Sequence, residues 1–141
     1  MSEHLLPQNG PPEHDQRLRE VLDAYLNLCN RQEFARLGEC VAVDVSVDGE
    51  AVGLAEWIRR LRTVVRGFPD FRWEARRVLV DGNLLAVSTD GTGTHTGTYL
   101  GIPPTNRAVQ TTSMNTYRIE DGLIRESWIR ADPAALLAAI L

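Results

Sequence analysis

The sequence predicts an α+β fold, in which N-terminal helices close one face of a curved antiparallel sheet to form a cone. Helical spacing of apolar residues is concentrated in the first half of the chain, and apolar–polar alternation dominates the second half. The dipeptides Asp81-Gly82 and Asp121-Gly122 indicate tight turns between successive strands. Helices segregated from an antiparallel sheet are typical of the α+β class.

The helices are predicted from steps of three and four between apolar residues. A first helix is predicted over residues 15–31, a short one over 33–38 and a third over 54–65. The stripe of the first helix consists of Leu18, Val21, Leu22, Tyr25, Leu26 and Cys29. The apolar tail after Pro133 predicts a short docked helix or turn. Each stripe requires a partner surface, which the sheet supplies.

Alternating β-branched and polar residues predict the strands. They are placed at residues 41–48, 71–80, 83–96, 107–119 and 123–131. Gly91, Gly93 and Gly97 lie along one of them, and glycine inside a strand indicates a bend or a bulge. A strongly curved sheet cannot cover its own concave face, so we expect the helices to close it and to leave a hollow.

Length and composition limit the class of protein. The 141 residues suit one domain with its own core. Residues 1–12 are polar and rich in proline, which predicts a flexible arm, and residues 13–141 are predicted to form the single domain. A net charge of -4 argues against a nucleic-acid partner. No apolar run reaches the roughly 18 residues of a membrane span, so no membrane partner is expected.

The cysteines and histidines bear on metal binding and compartment. Cys29 and Cys40 are expected to be free thiols, and the N-terminus lacks the pattern of a signal peptide, which together favour the cytoplasm. The histidines His4, His14 and His95 lack metal-ligand spacing, so no metal is expected.

Five short motifs occur in an order and spacing that resemble one known family. They are Phe68-Pro69-Asp70, Gly93-Thr94-His95-Thr96-Gly97, Gly101-Ile102-Pro103-Pro104-Thr105, Tyr117-Arg118-Ile119-Glu120-Asp121-Gly122 and Glu126-Ser127-Trp128, with Asp132 four residues further on. Across residues 15–132 the chain resembles the SnoaL-like polyketide cyclases, which belong to the nuclear transport factor 2-like superfamily.

This resemblance implies a cystatin-like α+β barrel shaped as a cone, usually dimeric, with a pocket for a hydrophobic polycyclic or ester-like substrate. It also implies ring closure by an aldol step without a metal or an organic cofactor, with a pocket carboxylate, a histidine and an asparagine. Related proteins include hydroxylases, isomerases and proteins that only bind ligands. The resemblance therefore indicates a fold with a pocket more firmly than it indicates a particular reaction. Apolar residues on the exposed convex sheet add to the expectation of a homodimer.

His95 is the first candidate for a catalytic residue. Counting back by two from His95 leads through Gly93 and Gly91 to Val87 and Leu85, so its side chain is predicted to face the hollow. A neutral imidazole can accept or donate a proton near pH 7, which suits enolisation or ring closure. The alternative is a histidine held by a local hydrogen bond at the pocket rim.

Asn115 is the second candidate and departs from the family. The series Ser113, Asn115, Tyr117 and Ile119 places it on the inward face, where many family members carry Asp. An amide cannot take up a proton, but it can donate a hydrogen bond to a carbonyl or oxyanion. It could equally serve only to anchor the sheet.

The remaining candidates surround the predicted pocket. Asp132 could supply a carboxylate at its mouth or could cap the element that begins at Pro133. Substrate contacts are predicted for Asn30, Trp57, Trp128, Tyr25 and Tyr117. Asn30 could instead terminate the first helix, and the aromatic residues could instead be core. Ser113 and Ser127 lie in no nucleophile motif.

These observations predict a cofactor-independent enzyme of specialised metabolism that cyclises, isomerises or otherwise transfers a proton on a hydrophobic small molecule. Two alternatives remain open. One is a non-catalytic ligand-binding protein, which the Asn115 departure favours. The other is a cofactorless hydroxylase on the same fold.

Overall fold

The computed structural model describes residues 12–130 and 134–141, which form three α-helices, one 3₁₀ helix and five strands. The helices are α1 (Pro12–Asn30), the 3₁₀ helix Phe34–Glu39, α2 (Gly53–Gly67) and α3 (Ala135–Ile140). Pro12 is the first residue of α1, a position that needs no backbone N–H. The rest of the predicted arm, residues 1–11, lies outside the described residues.

The strands form a single sheet with the order β1-β5-β4-β3-β2. Their bounds are β1 (Val41–Val47), β2 (Arg72–Asp81), β3 (Leu84–Thr94), β4 (Ala108–Glu120) and β5 (Leu123–Arg130). Three of the pairings are antiparallel, and the β1–β5 pairing is parallel, so the sheet is mixed. The sheet does not close into a barrel, because β1 and β2 form its opposite edges. The predicted α+β class is confirmed.

The predicted turn at Asp121-Gly122 has the expected backbone, whereas Asp81 is the last residue of β2 and only Gly82 of that pair has a positive φ. Asp121 and Gly122 both have positive φ, at 55° and 75°, which is the geometry of the two-residue turns that join right-twisted strands. The helices pack on the concave face of the sheet. Leu22 of α1, Trp57 of α2, Leu85 of β3 and Ile124 of β5 all belong to one buried cluster.

The pairing register shifts at three places in this sheet, and each shift bends a strand. The shifts lie between Val41 and Ser46 of β1, between Ala75 and Arg77 of β2, and in β5 opposite Arg118 and Ile119 of β4. The third shift leaves Arg125 of β5 as an extra residue, because Arg118 pairs with Glu126 while Ile119 pairs with Ile124. The glycines of β3 do not mark a bulge, since its pairing with β4 runs without interruption.

Candidate functional site

A cavity of about 430 Å³ lies between the concave face of the sheet and helices α1 and α2. Its size falls within the range of pockets that hold small molecules. Its wall is formed by Tyr25, Leu26, Cys29, Val47, Trp57, Arg60, Leu61, Val64, Phe71, Trp73, Thr89, Tyr99, Thr111, Thr112, Ser113, Asn115, Tyr117, Ser127, Ile129, Ala135 and Leu136. The amphipathic stripes of α1 and α2 and the alternation of β4 account for about half of these residues.

Three aromatic side chains form one end of the cavity. Tyr25 lies edge-on to Trp57 and to Tyr117, with ring centroids 5.9 Å and 6.2 Å away. The indole Nε1 of Trp57 donates to the Tyr25 hydroxyl at 3.0 Å. Because the three rings hold one another in place, they present a rigid apolar surface suited to a flat hydrophobic ligand. All three predicted contact residues therefore lie at the cavity wall, and their substrate contacts remain a prediction.

Polar side chains from β4 run along the floor of the cavity. Thr111, Ser113, Asn115 and Tyr117 occupy alternate positions of the strand, and all four line the cavity. Asn115 is partly buried, and its side chain interacts by hydrogen bonding with Tyr117, which lowers the pKa of that phenol against the larger rise from burial. The predicted inward direction of Asn115 is confirmed.

Ser127 on β5 is the most unusual polar residue of the wall. It pairs directly with Tyr117, and it is 1% exposed. Among the described residues, nothing accepts from or donates to its Oγ atom. An unsatisfied buried hydroxyl lowers the free energy of unfolding by about 1–3 kcal/mol. The packing of the protein therefore does not explain why a serine occupies this position.

The wall is almost free of charge. Within residues 12–130 and 134–141, no carboxylate and no histidine lines the cavity, and Arg60 is the one charged lining residue. Half of the Arg60 side chain is exposed, and its Nε donates to Glu56 at 2.9 Å. Burial raises the pKa of Tyr25 and of Tyr117, and it raises the pKa of the Cys29 thiol to about 12. These three groups are therefore neutral hydrogen-bonding groups at physiological pH.

His95 faces inward, as its parity predicts, but it does not line the cavity. It is fully buried, and its ring lies against Phe68 with centroids 5.3 Å apart. The backbone N–H of Thr105 donates to its Nδ1 at 3.1 Å, and its Nε2 is buried with no hydrogen-bond partner among the described residues. This arrangement matches the alternative of a locally bonded histidine, and the proposed acid–base role stays a prediction.

Aromatic residues of two loops separate His95 from the cavity. Phe68, Phe71, Tyr99, Val109 and Ile140 form a second buried cluster, called here the Phe68 cluster. Phe71 and Tyr99 belong both to this cluster and to the cavity wall, and both contact the Phe68 ring that covers His95. A Cβ at Gly91 would lie 2.4 Å from Phe71, so the strand glycines make room for these rings. His95 and Asn115 are therefore not brought together.

Two of the residues predicted to contact substrate, Asn30 and Trp128, do not line the cavity, for identifiable reasons. The Asn30 amide donates to the Trp73 carbonyl at 2.9 Å and accepts from the Trp73 N–H at 2.8 Å, so it joins α1 to β2 outside the cavity wall. Trp128 was placed by counting from Ile124, but the extra residue Arg125 reverses the parity. Its indole therefore lies on the opposite face of the sheet from Ser127.

Asp132 lies outside the described residues. The described residues nearest to it that line the cavity are Ile129 before it and Ala135 after it.

Several wall residues were not predicted. Thr111 and Ser113 share the alternation that identified Asn115, so the signal was present. Phe71 and Tyr99 lie outside the helices and strands, where no periodicity indicates direction. Ser127 was hidden by the same bulge that misplaced Trp128.

Other kinds of site were sought over the same described residues. They contain no group of three or more side chains that could hold a metal ion. None of their helices is long and apolar enough to cross a membrane.

The helices and the curved, unclosed sheet define an α+β domain with a cavity between them. The family model of the SnoaL-like polyketide cyclases matches residues 19–140, and the chain belongs to this family. The resemblance inferred from the motifs is thus confirmed. No protein of curated function matches the chain.

Solved structures with the same fold extend this comparison. A SnoaL-like polyketide cyclase from Agrobacterium tumefaciens is 29% identical, with 86% of this chain and 95% of that chain covered and a TM-score of 0.73. IdmH, a candidate polyketide cyclase from Streptomyces antibioticus, is 24% identical over 86% and 96% of the two chains, with a TM-score of 0.77.

AclR, a candidate hydroxylase from Streptomyces galilaeus, is 20% identical over 89% and 81% of the two chains, with a TM-score of 0.78. At these identities, IdmH and AclR show a common fold and nothing about the reaction.

Proposed function

We propose that the protein is an enzyme that binds a hydrophobic, polyketide-like intermediate and promotes its cyclisation, isomerisation or a related proton transfer, without a metal or an organic cofactor. The observation that carries this proposal is the cavity itself. Its aromatic end formed by Tyr25, Trp57 and Tyr117 suits a flat apolar ligand, and the neutral polar side chains along β4 suit the oxygens of that ligand.

In this proposal Asn115 polarises a substrate carbonyl through its amide N–H. Such a donor acts most strongly where water is excluded, and it stabilises the enolate oxygen that forms when a neighbouring carbon loses its proton. The proton acceptor in the proposal is Asp132, because Ile129 and Ala135 on either side of it in the sequence line the cavity. His95 would contribute indirectly, by holding the loop that carries Tyr99.

The exchange of α-hydrogens in D₂O tests this function directly. We expect the protein, with EDTA present, to accelerate deuterium incorporation into 2-tetralone above the buffer rate, as followed by mass spectrometry. Asp132→Asn should lower the rate by about 100-fold, the contribution of one general base. Asp44→Asn, on the exposed side of β1, is the matched control and should leave it unchanged.

A ligand-binding protein without catalysis is the second candidate. It is favoured by the absence of any carboxylate or histidine from the cavity wall within the described residues. Tight binding of hydrophobic ketones that are recovered unaltered, without α-exchange, would support this candidate against the enzyme. Oxygen uptake with a quinol-type compound would instead indicate a hydroxylase.

We also propose a cytoplasmic homodimer. The outer face of the sheet carries a row in which Leu79 pairs with Ala86, Ala86 with Thr116 and Thr116 with Trp128. Leu79 is 73% exposed and the neighbouring Met114 is 51% exposed, so this row offers an apolar surface to a second copy. Sedimentation at micromolar concentration should give the mass of two chains.

A further inference from the structure

We infer that Ser127 and Asn115 together form a binding subsite for the carbonyl oxygen of an uncharged substrate. This inference rests on the proposed function, since it concerns the same cavity. It adds a residue, Ser127, and a substrate class, a neutral ketone or a related carbonyl compound.

The first argument is the state of the Ser127 hydroxyl. It is buried in the cavity wall, and no described residue forms a hydrogen bond with its Oγ atom. Buried hydroxyls in folded proteins are nearly always paired, so an unpaired one at a cavity indicates a partner that enters the cavity. A serine hydroxyl can donate to a carbonyl oxygen, which has no proton of its own to offer.

The second argument is the register of the two strands. Tyr117 pairs with Ser127, and Asn115 pairs with Ile129, so Asn115 and Ser127 are diagonal neighbours on one face of the sheet. Diagonal neighbours lie about 7–8 Å apart, close enough for both side chains to approach one ligand group between them. A carbonyl oxygen has two lone pairs and can accept from both donors at once.

The third argument is charge. An anionic substrate placed deep in this cavity would have no described cation beside it, because Arg60 is half-exposed and bound to Glu56. Leaving a charge unpaired in an apolar site is strongly unfavourable. A neutral carbonyl avoids this cost and still satisfies Ser127.

Calorimetric binding of three shape-matched probes to the full chain tests the inference. 2-Acetylnaphthalene carries the carbonyl, 2-isopropenylnaphthalene replaces that oxygen with a CH₂ group, and 2-naphthoate replaces the ketone with a carboxylate. We expect the ketone to bind about tenfold more tightly than the alkene, the effect of one or two hydrogen bonds. The carboxylate should bind more weakly than the ketone.

Ser127→Ala should reduce the preference for the ketone over the alkene to about threefold or less. In the absence of ligand, it should also raise the melting temperature by about 3 °C, because it removes a buried unsatisfied group. Ser88→Ala, a change at a serine of β3 that does not line the cavity, is the matched control and should leave the preference unchanged. The double variant with Asn115→Ala should lose the preference altogether.

The outcomes separate this subsite from the proposed function. Equal binding of ketone and alkene, or an unchanged preference in Ser127→Ala, would overturn the subsite while the cavity remained a ligand site. Tighter binding of the carboxylate, abolished by Arg60→Ala, would overturn the assignment of a neutral substrate. Failure of both neutral probes to bind would overturn the proposed function together with the subsite.

Discussion

The concave face of the sheet has a filled half and a hollow half, both built on β3 and β4. In the filled half, Gly91 lies under Phe71, and Phe68 covers His95. In the hollow half, Thr89 and Ser113, which pair across the same two strands, line the cavity. Because the pairing of β3 with β4 is uninterrupted, the difference does not come from a break in the strands. It comes from the aromatic loop residues Phe68 and Phe71, which cover one half of the sheet and leave the other open.

The two halves also differ in where their unpaired polar atoms lie. In the filled half, Nδ1 of His95 accepts from Thr105, and Nε2 of the same ring is buried without a described partner. In the hollow half, the hydroxyl of Ser127 likewise has no described partner, but Ser127 lines the cavity. Of these two unpaired atoms, only that of Ser127 belongs to a residue of the cavity wall, so it is the one available to a bound ligand.

The largest expected effect is that of adding one methyl group to the filled half. A Cβ at Gly97 would lie 2.0 Å from the carbonyl oxygen of Arg66, a backbone atom at the end of α2. Gly97→Ala should therefore lower the free energy of unfolding by about 3 kcal/mol or more, measured by urea denaturation. A stability equal to that of the wild type would show that this half is not tightly packed.

Two control variants sharpen this comparison. Gly38→Ala places its Cβ at an ordinary 3.5 Å from Leu54 and should change stability by less than about 1 kcal/mol. Ser113→Val adds volume to the hollow half and should likewise cost less than about 1 kcal/mol. A large loss in Ser113→Val would contradict the distinction between the two halves.

The second effect concerns His95. If His95 belongs to the filled half, His95→Ala should lower the free energy of unfolding by about 2–4 kcal/mol, because it leaves a void against Phe68 and an unpaired Thr105 N–H. His95→Gln, which keeps a hydrogen-bond acceptor, should lose less stability and should retain ligand affinity and α-exchange. Loss of α-exchange in a fully folded His95→Gln variant would instead establish the acid–base role.

The smallest effect is a dependence of stability on pH. Hydrogen bonds from the backbone and side chain of Thr94 lower the pKa of Asp70 below its ordinary value. A carboxylate whose folded pKa is lowered stabilises the fold above its unfolded pKa, near 4, and this contribution is lost as the pH falls through the folded pKa. Asp70→Asn should thus lower stability at pH 7 by up to about 1 kcal/mol, and this difference should shrink as the pH falls below about 4.

Thermal unfolding of Asp70→Asn and wild type across that pH range measures the difference, and Asp44→Asn on the exposed side of β1 serves as control. A difference that persisted unchanged at the lowest pH would show that the Asp70 carboxylate charge does not stabilise the fold.

The elements of the fold could be predicted because their signals are local. The stripe of α1, the alternation of β4 and the Asp121-Gly122 turn each depend on neighbouring residues alone, and each predicted element is present in the described residues within a few positions. The parallel pairing of β1 with β5 could not be predicted in this way, because the two strands are about 80 residues apart in the sequence.

The candidate site was predictable only where periodicity continued unbroken. Tyr25, Trp57, Asn115 and Tyr117 follow regular helices or strands, and the structure places all four at the cavity wall. His95 has the predicted parity, but parity along a strand does not reveal that loop residues such as Phe68 lie over it. The position of Asn30 outside the cavity wall could not be predicted for a related reason. Its hydrogen-bond partner, Trp73, is 43 residues away, and no local pattern in the sequence indicates that contact.

The extra residue Arg125 has a consequence for how such a domain could change over generations. Deleting its single codon would leave Ile124 opposite Ile119 and Glu126 opposite Arg118, so alternation in β5 would run unbroken with Ser127 still inward and Trp128 still outward. One event would thus remove a bend from the sheet and alter the shape of the pocket, while every wall residue kept its identity. Gain or loss of one residue in a strand is therefore a route to new ligands that a comparison of pocket side chains alone would overlook.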